Sequence, residues 1–151
     1  MIRTEYYWPS QQPLENAAVG EWVSMQIWEK PRQITDFSTM AVYDDDDKLI
    51  AATAYHNWHQ DSGLMELSSA AVSRRWLTRP VINAMFRFPF EIMGCQMVAL
   101  RVSERNTNMV HIARSFGFTE VLIPRLRGRD EGEFIFTLTD DQWASSPYRR
   151  G

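Results

Sequence analysis

The chain has 151 residues, of which 44% are hydrophobic, 13% aromatic and 23% charged, a length and composition that support one globular domain over 1–151 and exclude a disordered or fibrous chain. A formal net charge of -3 excludes affinity built on neutralising many phosphates, so bulk nucleic-acid binding is not expected. Cys95 is the one cysteine, the opening MIRTEYYWPS has no leader pattern, and no apolar run approaches the roughly 20 residues of a membrane-spanning helix; the expected setting is a cytoplasmic one without membrane attachment.

Leu14, Ala18, Trp22, Met25 and Trp28 recur at helical spacing and predict a first helix that ends before Pro31. Residues 37–43 and 49–58 are rich in β-branched, aromatic and small apolar side chains and flank the acidic turn at 44–48, which predicts a hairpin. A second turn at 60–63 leads into a third strand over 64–72. Thr78-Arg79-Pro80 then supplies a cap followed by a proline suited to a first helical turn. Pro89 should bend or break that helix and Gly94 end it, before a buried strand over 96–102. Met109, Ile112, Ala113 and Phe116 mark another helix closed by Gly117. Two last strands, 118–123 and 133–138, enclose the charged segment RLRGRDEG, here expected to be a loop, and a short tail helix includes Trp143. This order fits an α/β (α+β) fold with a mixed, mostly antiparallel sheet better than a doubly wound nucleotide fold.

From Leu64 to Phe118 the order strand, Arg-rich turn, helix, strand, Asn, helix, Gly-Phe resembles the core of the GNAT N-acetyltransferase superfamily, and RVSERNTNMVHIARSFGF is similar to its second half. The general look also resembles compact GNAT proteins encoded by phages and prophages. The resemblance implies six to seven strands with helices on both faces, acetyl-CoA as co-substrate, and transfer of its acetyl group to an amine of a protein or small molecule. In such proteins a turn written Q/R-x-x-G-x-G/A opens a helix at the CoA pyrophosphate, where free backbone N–H groups and the helix dipole hold the charge. This chain has Arg75-Trp76-Leu77-Thr78-Arg79-Pro80 there, so Thr and Pro replace both small residues. Arg74, Arg75 and Arg79 are suited to replace the lost backbone contacts with charge-assisted ones, and Thr78 and Asn106 complete the expected cofactor set.

The resemblance also places a carbonyl-polarising backbone N–H at Ala71 or Val72, and a carboxylate base on the same strand, where Glu66 is the acidic residue of LMELSSAAV. Tyr55, His56 or Asn57 should lie across from it. The usual acid for the departing thiolate, a Tyr four residues before the Gly of Gly-Phe, is Ala113, and the Ser of a related subgroup is Met109; water, Tyr55 or Ser115 remain as proton sources. Arg125 and Arg127, with Arg129, are candidates for recognising an acidic acceptor. No metal site is expected, because His56 and His59 point to opposite faces of a strand. His111 reads as a surface helix residue and Cys95 as core. The abundant aromatics are expected mostly in the core, with some available to an acceptor pocket or a homodimer patch. A rival reading is a GNAT-fold binding protein of phage origin that engages a host protein without turnover.

Overall fold

The computed structural model describes residues 2–149. Its elements run β1 (Arg3–Tyr7), α1 (Pro13–Trp28), β2 (Ser38–Tyr43), β3 (Leu49–His59), β4 (Leu64–Ala71), a 3-10 turn (Arg74–Trp76), α2 (Arg79–Arg87), a π-helical turn (Phe88–Ile92), β5 (Met97–Ser103), α3 (Thr107–Phe116), β6 (Thr119–Gly128), β7 (Glu131–Thr139), α4 (Asp140–Ala144) and a last 3-10 turn (Pro147–Arg149). The seven strands form one sheet in the order β1-β2-β3-β4-β5-β7-β6, antiparallel throughout except for the β4–β5 pair.

Side chains alternate across a strand, and the alternation divides the core. Met40, Val42, Tyr55, Leu67, Val98 and Phe136 pack on one face with Val81 and Met85 of α2 and Val110 and Ala113 of α3. Ala41, Ala52 and Ala54 face the other way, against Val19 and Val23 of α1. Helices therefore cover both faces, as expected from the resemblance.

Four details differ from the sequence-based expectation. The segment RTEYY is strand β1, paired with β2. The first helix forms where expected, but Leu14 and Met25 of the predicted stripe are 83% and 44% exposed, and the buried face is Asn16, Val19, Gly20, Val23 and Ser24. A Cβ on Gly20 would lie 2.1 Å from the Phe37 ring, so only glycine lets the helix approach this closely. Asn16 supports the approach, donating to Phe37 O at 2.8 Å and accepting from Thr39 Oγ1 at 3.0 Å. Pro89 does not stop the helix but widens it into the π-helical turn, which carries Met93 N–H to Phe88 O. Most of RLRGRDEG is strand: β6 reaches Gly128, which pairs with Glu131. The pairing skips between Ile123 and Gly128, where Pro124 has no N–H and Arg125 has φ 67.

Candidate active site

β4 and β5 are paired only at Leu64–Met97, Met65–Val98, Glu66–Ala99 and Leu67–Leu100. Beyond Leu67, β4 continues with β3 as far as Ala71 opposite Ala51. Beyond Leu100, β5 continues with β7 as far as Ser103 opposite Glu133. The two halves of the sheet thus separate toward the carboxyl ends of two parallel strands, where open sheets bind ligands.

Two helix N-termini stand at this opening. Thr78 caps α2, its hydroxyl accepting from Val81 N–H at 3.4 Å, and Asn106 caps α3, its Oδ1 accepting from Met109 N–H at 3.2 Å. At the far end of α3, Gly117 adopts φ 104 and Phe118 N–H returns to Ala113 O at 3.2 Å, the αL closure that the Gly-Phe pair predicts. Arg74 and Arg75, in the turn before α2, are exposed and in no ion pair with another described residue. Arg79 is engaged elsewhere: its Nη1 donates to Pro147 O at 3.0 Å, with the guanidinium 5.3 Å from the centre of the Tyr148 ring.

The two candidate amides on β4 differ. Val72 N–H donates to Ile50 O at 2.9 Å. Successive amides of a strand point to opposite edges, so the Ala71 N–H points away from β3, toward the space that β5 has left. The Val72 amide is committed to the sheet and unavailable to a thioester carbonyl.

Glu66 stands at the last pairs before the separation, directly opposite His56. Its Oε1 accepts from Asn57 Nδ2 at 3.0 Å and its Oε2 lies 3.8 Å from His56 Nε2, with 18% of the Glu66 side chain exposed. His56 Nε2 and Ser68 Oγ are 2.8 Å apart. Burial holds the His56 imidazole below its ordinary pKa; Glu66 opposes that shift and Arg101 adds to it. Arg101 follows Leu100, the last β5 residue paired with β4, and donates through Nε and Nη2 to Glu133 Oε2 at 3.2 and 2.7 Å. Arg127 Nε reaches the other oxygen at 3.1 Å, so a carboxylate only 2% exposed sits between two guanidinium groups.

Tyr55 is not part of this cluster. It pairs with Leu67 on the opposite face, is 1% exposed, and donates its hydroxyl to Met85 O at 2.7 Å; burial raises its pKa well above that of an ordinary phenol. Ser115 is exposed in the last turn of α3, and Ala113 is 1% exposed with no hydroxyl to offer. Arg127 is on β6 rather than in a loop and is held by Glu133, whereas Arg125 is exposed at the strand irregularity. Sequence reasoning does not single out Ser68, Arg101 or Glu133. The period of two places Ser68 on the Glu66 face, but Arg101 and Glu133 meet only through the β5–β7 register. A separate depression of about 450 Å³, lined by Phe116, Gly117, Leu138 and Gln142, lies at the other end of α3, away from this cluster. No described helix is long and apolar enough to cross a membrane, and no described group of three or more His, Cys, Asp or Glu is arranged to hold a metal ion.

This topology, with a seven-stranded mostly antiparallel sheet parted at one parallel pair and helices on both faces, is the GNAT acetyltransferase fold. Among solved structures, the spermidine N-acetyltransferase of Vibrio cholerae is similar to this chain. A dodecameric form in an intermediate state superimposes with a TM-score of 0.72 at 14% identity, covering 95% of this chain and 96% of that one. The same enzyme in complex with CoA and spermine gives 0.71 at 14% identity, covering 95% and 98%. No family model matches the sequence, and no curated protein matches it.

Proposed function

We propose that this protein is an N-acetyltransferase that takes acetyl-CoA and acetylates an amine. The observation that carries this reading is the parting of β4 and β5 beyond Leu67 and Leu100, with the N-termini of α2 and α3 at its mouth. A thioester lying in that opening meets the Ala71 N–H, which can polarise its carbonyl. Arg74, Arg75, the Arg79 amide and the capped turn at Thr78 face the diphosphate, and Asn106 keeps Nδ2 for the pantetheine arm. Glu66 supplies the negative charge that draws a proton from the attacking amine. Arg125, in no ion pair with another described residue, can meet an acidic group on the acceptor. The departing thiolate is protonated by water, since Tyr55, Ser115 and Ala113 offer nothing at the opening. The expected site of action is the cytoplasm.

Calorimetry with acetyl-CoA and thiol release over an amine panel that includes spermine test this reading. Binding in the micromolar range and release with at least one amine are expected, and Glu66→Gln should lower kcat by about a hundredfold while leaving acetyl-CoA affinity in place. No binding at high micromolar acetyl-CoA sinks the proposal. The hydroxyl-free, closed position of Ala113 favours one rival, a GNAT-fold protein that binds without turnover, for which we propose a phage origin and a host-protein partner; binding with no thiol release across the panel selects the non-catalytic reading.

A further inference from the structure

Two polar groups beside Glu66, the Ser68 hydroxyl and the His56 imidazole, have no part in the reading above. Ser68 is the first residue of β4 beyond the last β5 pair and shares its sheet face with Glu66 and His56 through the Ala54–Ser68 and His56–Glu66 pairs. His56 is 5% exposed, and its Nε2 is 2.8 Å from the half-buried Ser68 hydroxyl. Glu66 Oε2 is 3.8 Å from the same nitrogen, and Asn57 fixes the other carboxylate oxygen. Ser68, His56 and Glu66 therefore form a line running from the opening into the sheet.

We infer that Ser68 and His56 form a proton relay for the acceptor amine, with Glu66 as the counter-charge of the imidazolium that results. The inference rests on the acetyltransferase reading. As the neutral amine attacks the thioester, a new C–N bond forms and the C–S bond breaks. The amine proton moves to Ser68 Oγ while the Ser68 hydroxyl proton moves to His56 Nε2. CoA leaves as thiolate, and the imidazolium passes its proton to solvent before the next turnover. Ser68 touches the acceptor; His56 acts through it.

The surroundings suit the two charge states. Burial keeps the resting imidazole neutral and able to accept. The charged groups facing it are Glu66 from β4 and Arg101 from β5, the latter tied to Glu133 of β7. The buried face of α1, the helix on this side of the sheet, contributes Asn16, Val19, Gly20, Val23 and Ser24, none of which titrates. Burial and Arg101 favour the neutral form, and Glu66 favours the charged one that forms when the proton arrives.

The test is the pH profile of kcat for wild type, Ser68→Ala, Ser68→Thr and His56→Gln, with acetyl-CoA affinity measured alongside. Wild type should lose rate as pH falls through a single ionisation below the usual imidazole range, and imidazole NMR should assign the same ionisation to His56. Ser68→Ala and His56→Gln should lower kcat by about a hundredfold and erase that limb while acetyl-CoA binding stays within twofold. Ser68→Thr, which keeps the hydroxyl, should recover most of the rate. A wild-type rate and acid limb in Ser68→Ala overturn the relay and leave the acetyltransferase in place. A wild-type protein that releases no thiol with any amine overturns both.

Discussion

The two helices that begin at the opening are built by the same device and leave different resources behind. Each has a cap residue whose side-chain oxygen takes one amide of the first turn, Thr78 for Val81 and Asn106 for Met109. In α3 the amides of Thr107 and Asn108 remain. In α2 the second helical residue is Pro80, so only the Arg79 amide remains. The helix that should face the diphosphate thus has fewer backbone donors than the one that should face the uncharged arm. What α2 has instead is charge, in the exposed Arg74 and Arg75 of the preceding turn. An anion site of this kind relies on side chains, and so on long-range attraction, more than on amides fixed in the fold.

The largest effect follows directly. Replacing both Arg74 and Arg75 with alanine should weaken acetyl-CoA binding by up to about a hundredfold at low salt, each charge-assisted contact contributing on the order of 1.5 kcal/mol. Raising the salt should weaken wild-type binding and close most of the gap between the two proteins. Calorimetry at two ionic strengths reads both. An unchanged Kd in the double variant would mean that α2 binds the anion through the Arg79 amide alone, and the contrast between the helices would disappear.

The difference between these helices also marks where sequence is informative. The cap at Asn106, the apolar repeat and the glycine with positive φ at 117 are all local, so α3 is legible from ten or so adjacent residues. The start of α2 is legible for the same reason. The opening between β4 and β5 is not, because it depends on pairing that joins 64–67 to 97–100 and then stops. The buried face of α1 is hidden because contacts from outside the helix decide it: Phe37 presses on Gly20, and Asn16 bonds to the chain at 37 and 39. Strand β1 is short and mixes Arg, Thr and Glu with two tyrosines, so no apolar run announces it. β6 beyond Ile123 reads as a loop because Pro124 and two arginines, Arg125 and Arg127, mimic one. The polar cluster needs registers between three strand pairs: Glu66 comes from the family resemblance and His56 and Asn57 from the hairpin register, whereas Ser68, Arg101 and Glu133 stay hidden.

A middle-sized effect separates folding from binding. Thr78→Ala and Asn106→Ala should each cost about 1 kcal/mol of stability in urea unfolding, because each leaves one first-turn amide without its partner. If the two caps act alike on the fold, these costs should agree within a few tenths of a kcal/mol. A loss at Asn106 with none at Thr78 would show that the proline already holds the start of α2 and that the 3.4 Å cap contact adds nothing.

The smallest effect is the most direct probe of the contrast. Pro80→Ala returns an N–H to the first turn of α2 at a position where it needs no intrahelical partner. One extra neutral donor to a phosphate has a net value of about 0.5–1.5 kcal/mol, and the flexibility gained in the unbound turn offsets part of it. Binding of acetyl-CoA should tighten by about threefold. The gain should persist at high salt, since it adds no charge, and this separates it from anything done to Arg74 or Arg75. If Pro80→Ala instead weakens binding, the proline is holding the turn in its binding shape, and the missing amide is outweighed by the order that the ring imposes.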